Sequence, residues 1–101
     1  MAQERVYREL LKPDDADTAG EAIEVFRGWL IDQRLQCRMA TDLFDDPSIW
    51  GVLLADAAQR LAHDVEELTG TDVPETLKVI AAAFNREMGA LIEGQTGESE
   101  E

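Results

Sequence analysis

The sequence predicts an α+β domain, mostly helical: an N-terminal arm, a helix, one β-strand and a long antiparallel helical hairpin. Three observations predict it. Apolar side chains recur at helical spacing along three stretches. Two of these open on an aspartate with a proline close behind, Asp46-Pro47 and Asp72-Val73-Pro74, and Gly70 closes the one between them. One short run, Leu35 to Ala40, alternates with period two instead.

In the arm, Val6, Tyr7, Leu10 and Leu11 have a loose helical spacing that also suits an extended segment. Pro13 biases Lys12 away from helix, so residues 1–17 read as arm and linker. Thr18-Ala19-Gly20-Glu21 fits a capping box, and the spacing of Ala22, Ile23, Phe26, Trp29 and Leu30 predicts a helix to about Asp32. In the strand that follows, Leu35, Cys37 and Met39 alternate with Gln36 and Arg38. A lone strand leaves its N–H and C=O groups without partners. Its partner is either the arm or the same strand of a second copy. In the second case Arg38 meets its own mate near the axis, with an acid such as Asp42 to relieve the repulsion.

Asp46 and Pro47 predict a helix over 47–69, since an aspartate accepts first-turn N–H groups and proline at the first helical position has none to lose. Its apolar face is Trp50, Leu53, Leu54, Ala57, Leu61, Val65 and Leu68, with Asp56, Arg60 and Asp64 spaced to pair. The next helix spans 73–92, with Val73, Leu77, Ile80, Ala81, Phe84, Met88 and Leu91 on one face. The short connection makes the two antiparallel neighbours. The expected organisation is one globular domain over 1–93 and a flexible acidic tail over 94–101.

A domain of 101 residues with 45% hydrophobic side chains has enough apolar material for a core. Its net charge of −13 excludes more than it suggests. Nucleic-acid binding requires lysines and arginines to neutralise phosphates, and the nine bases here are scattered. Adsorption to anionic membranes is disfavoured for the same reason. Such charge suits either solubility in an acidic cytosol or a basic protein partner, and charge alone does not separate the two. Cys37 is the only cysteine, which rules out an internal disulfide and a cysteine-rich metal site. With no signal-peptide pattern at residues 1–8, the expected compartment is the cytoplasm.

Few residues suggest chemistry. His63, the only histidine, has no second ligand at metal spacing and reads as a surface or boundary residue. Cys37 reads as a core cysteine, because Arg38 projects to the opposite strand face. Ser48 opens a helix in a small acidic chain, a setting similar to that of acyl carrier proteins. However, Pro47 parts it from Asp46, and Ile49-Trp50 follow in place of an acidic recognition helix. The strand followed by two helices is similar in order to ribbon-helix-helix repressors, but only Arg38 is placed to face DNA. The acidic clusters lack the spacing of a calcium loop.

The order of Glu24-Val25-Phe26-Arg27-Gly28-Trp29, Leu35-Gln36-Cys37 and Asp46-Pro47-Ser48-Ile49-Trp50-Gly51-Val52-Leu53-Leu54-Ala55-Asp56 resembles a small family found mainly in alphaproteobacteria. Its members are similar in length and carry a domain of unknown function. Phe84 and Glu87 fit its closing helix, and the resemblance spans residues 20–92. It implies a fold and a lineage, with no activity attached. The leading expectation is therefore a non-catalytic homodimeric interaction module without a cofactor, joined through Leu35, Gln36, Cys37, Arg38 and Met39. The alternative is a small-molecule-binding protein or enzyme. Its pocket would be lined by Trp29, Trp50 and Phe84, with Arg38 as anion contact and His63 nearby. A third possibility is an acidic regulator of a basic client.

Overall fold

A computed structural model describes residues 4–99. The chain divides at Asp45–Asp46 into two compact units. The first holds a 3-10 turn (Asp14–Asp17) and strands β1 (Phe26–Ile31) and β2 (Arg34–Met39). The second holds helices α1 (Ser48–Thr69) and α2 (Val73–Ser99).

The helix expected from Thr18 to Asp32 does not form. Phe26–Ile31 is a strand, antiparallel to β2, with Phe26 opposite Met39, Arg27 opposite Arg38, Gly28 opposite Cys37 and Trp29 opposite Gln36. The single predicted strand therefore has a partner inside the chain, supplied by neither the arm nor a second copy. The competing periodicities explain the error. Short apolar runs fit both templates, and β-branched and aromatic residues such as Val25, Phe26, Trp29 and Ile31 prefer the sheet. Gly28 also weakens a helix at its centre by roughly 0.5–1 kcal/mol. In the strand the Phe26 ring lies over Gly28: a Cβ there would sit 2.8 Å from the ring and 3.4 Å from a Leu35 methyl. The glycine makes room for the ring, and the ring covers the bare backbone.

Thr18 closes the 3-10 turn instead of opening a helix, its N–H donating to the Asp15 carbonyl at 3.2 Å. The β-turn uses two residues, Asp32 (φ 50°) and Gln33 (φ 71°), both left-handed. That is the hairpin turn usually written Asn-Gly, so its sequence carried no warning.

The helical hairpin forms as expected. The Asp46 carboxylate accepts the Ser48 N–H at 2.9 Å, and its carbonyl accepts the Ile49 N–H at 3.1 Å. Gly70 (φ 82°) ends α1, its N–H donating to the Glu66 carbonyl at 2.9 Å. Asp72 caps α2 by accepting the Glu75 N–H at 3.0 Å. Arg60 and Asp64 pair one turn apart at 3.2 Å.

The expected α1 face holds in part, with Trp50 and Leu53 half-buried, but the closest approach of the helices lies one residue round from Ala57 and Leu61. Ala62 is fully buried, Ala58 and Val65 are half-buried, and Leu77, Ile80 and Ala83 are half-buried on α2. Small side chains at Ala58 and Ala62 permit close helix approach. Leu54, Leu61 (52% exposed) and Leu68 (83% exposed) are consequently turned outward. Helix α2 continues past Ile92 to Ser99, through residues expected as a tail, of which 100 and 101 lie outside the described residues. Among the described residues no helix is long and apolar enough to cross a membrane.

Candidate interaction surfaces

Strand alternation gives the β-hairpin two different faces. One carries Phe26, Gly28 and Leu30 with Leu35, Cys37 and Met39. It is apolar and uncovered, with Leu30 75% and Leu35 64% exposed. Cys37 is exposed too, not the core cysteine expected.

The opposite face carries Arg27, Trp29 and Ile31 with Arg34, Gln36 and Arg38. Three of the nine bases thus share one small surface, a cluster in place of the expected scattered charge and single outward Arg38. Reading β1 as a helix hid Arg27 from its partners across the strand. Arg27 and Arg38 stand directly opposite, a like-charge pairing that destabilises a sheet. Arg27 is compensated by Glu24 at 3.0 Å and Glu9 at 3.6 Å. The hydrogen bond and charge of Glu24 raise its pKa further. Arg34 and Arg38 have no ion-pair partner among the described residues. From the arm, Tyr7 stacks tilted on Trp29 with ring centres 5.4 Å apart, and the Arg5 guanidinium lies 4.7 Å from the Tyr7 ring centre.

Of the four proposed ligand residues, the hairpin brings Trp29 and Arg38 to one shallow depression with Arg27, Ile31, Gln36 and Cys37. A second depression, along Glu24, Phe26, Arg27, Arg38, Met39 and Ala40, is also open to solvent. Trp50 (half-buried) and His63 (exposed) belong to the other unit. Thirteen residues apart on α1, these two are separated by roughly 20 Å along the axis. On that unit the outward side chains form an α1 stripe of Leu54, Leu61 and Leu68 at seven-residue spacing, and an α2 stripe of Phe84, Met88 and Leu91. No group of three or more His, Cys, Asp or Glu among the described residues is arranged to hold a metal ion.

These features define a class: a small α+β protein that joins a β-hairpin to a helical hairpin and displays apolar and cationic surfaces. The chain belongs to the family with the domain of unknown function DUF5076, whose model matches residues 9–90. It is similar to a solved structure described as a "putative pyruvate dehydrogenase from the photosynthetic bacterium Rhodopseudomonas palustrus CGA009". The two are 30% identical with a TM-score of 0.62, over 79% of this chain and 81% of the other. No curated protein matches the chain.

Proposed function

We propose that this chain is a non-catalytic homodimeric protein-interaction module working in the cytoplasm. One observation carries the reading: each unit leaves large apolar side chains exposed, Phe26, Leu30, Leu35 and Met39 on one face of the β-hairpin, and Leu54, Leu61, Phe84 and Leu91 on the two helices. Contiguous apolar patches on soluble proteins mark interaction sites. A two-stranded hairpin is also marginal alone in water and needs further strands or a packed neighbour. A second copy would act on exposed apolar side chains. Strand β2 already has a partner in β1 and does not itself require one.

The alternative, small-molecule binding, keeps one supporting observation, the shared depression of Trp29 and Arg38. Its openness favours a surface contact over an enclosing pocket, since ligand sites bury most of their ligand. A family lineage in alphaproteobacteria belongs to the same proposal. The activity in the neighbour's description is said of that protein alone. Light scattering on a sizing column tests the reading: a dimer across micromolar concentrations supports it, and a stable monomer overturns it.

A further inference from the structure

The hydrogen-bonding order of the β-hairpin specifies which backbone groups remain available. The Ala40 N–H donates to the Val25 carbonyl at 3.1 Å, extending the ladder one step beyond the strands. Antiparallel pairs alternate between bonded and non-bonded, so in this register Arg38, Gln36 and Arg34 turn their N–H and C=O groups toward β1. Leu35, Cys37 and Met39 turn theirs to the outer edge. The Met39 carbonyl there also accepts the Thr41 N–H at 2.9 Å, which leaves its second lone pair and the Met39 N–H on that edge. The arm lies with the other strand: its ion pair and ring contact, Glu9 to Arg27 and Tyr7 to Trp29, both go to β1.

We infer that a second copy of this chain pairs antiparallel along the outer edge of β2, with the two-fold axis on Cys37. This inference rests on the homodimer reading and adds a backbone edge to it, which joins the apolar faces of two hairpins into one larger face without covering them. Every register centred on a residue keeps the apolar side chains of both copies on one face; an axis on Gln36 or Cys37 pairs five residues of each β2, and one on Leu35 or Arg38 pairs only three. An axis on Arg38 sets that residue against its own mate, and an axis on Gln36 sets Arg34 against the partner's Arg38. Both place like charges directly opposite, which is unfavourable. An axis on Cys37 sets Arg38 opposite the partner's Gln36 and Leu35 opposite the partner's Met39, with no like charges directly opposite across the new edge, and it pairs more of β2 than an axis on Leu35. The product is a four-stranded antiparallel sheet with order β1-β2-β2-β1. One face is continuous in Phe26, Leu30, Leu35 and Met39, and the other gathers the arginines. The edge is self-complementary, as two-fold symmetry requires.

The test is Cys37→Pro, which removes an outward donor and leaves every β1–β2 hydrogen bond in place. Light scattering of the full chain should show wild type as a dimer and the variant as a monomer with unchanged far-ultraviolet circular dichroism per residue. Gln36→Pro, which removes an inward donor, should instead lose the hairpin signal. A wild-type dimer that persists in folded Cys37→Pro overturns the edge interface while the homodimer reading stands. A wild-type monomer overturns both. If Cys37→Pro fails to fold, crosslinking decides. The short reagent bismaleimidoethane should convert wild type to a covalent dimer through the two Cys37 thiols, which an axis on Cys37 brings within disulfide-like Cα separation. A solution dimer that yields no covalent product contradicts the register.

Discussion

At the start of α1, Asp46 joins two effects in one carboxylate. It accepts the Ser48 N–H at 2.9 Å, and its negative charge meets the positive end of the helix dipole. The hydrogen bonds from Ser48 hold its pKa below the ordinary carboxylate value. A depressed folded-state pKa contributes stability that is present above the unfolded pKa and is lost as pH falls through the folded one. Asp46→Ala should therefore lower the thermal midpoint at neutral pH, while Asp46→Asn, an equally good cap, should retain most of it. The gap between wild type and Asp46→Asn should close as pH drops through the acidic range. Thermal melts over a pH series check both. A cap with Pro47 behind it is legible in sequence because its physics is local.

For the elements, legibility follows the same division between local and distant causes. The helical hairpin was readable because Asp46, Gly70 and Asp72 each satisfy backbone groups within one turn of themselves. Strand β1 was not, because its state is decided by pairing with residues up to thirteen positions away, Phe26 with Met39. The Thr18–Glu21 pattern is a local preference that this pairing overrode. The turn was hidden for another reason: Asp32 and Gln33 adopt left-handed conformations that glycine and asparagine usually announce. Gln33→Gly should relieve that strain and raise stability by about 1 kcal/mol in chemical denaturation. The seam of α1 makes a second prediction. Ala62 has no exposed surface, so Ala62→Leu should force the helices apart and cost about 1–3 kcal/mol. Choosing Ala58 and Ala62 over Ala57 and Leu61 is a rotation of one position. Periodicity alone resolves an apolar arc but not which edge of it the partner helix occupies.

Across the whole molecule, charge and apolar exposure argue in different directions. A net charge of −13 repels polyanions, yet Arg27, Arg34 and Arg38 share one face of the hairpin. The total field should dominate, so no retention of duplex DNA is expected in a low-salt gel shift, the condition most favourable to electrostatic binding. A clear shift would make the arginine face a nucleic-acid surface. That face was the part of the candidate site least legible in sequence, since it exists only once β1 and β2 are in register. Trp29 and Arg38 were readable as residue types suited to an anion, but their meeting was not. The central claim is that the uncovered faces belong to a homodimer. Light scattering on a sizing column, read across a micromolar dilution series, tests it most directly. A homodimer should give about twice the chain mass of 11.2 kDa, unchanged on dilution through the low micromolar range. A single species at the chain mass, well folded and stable, would contradict it.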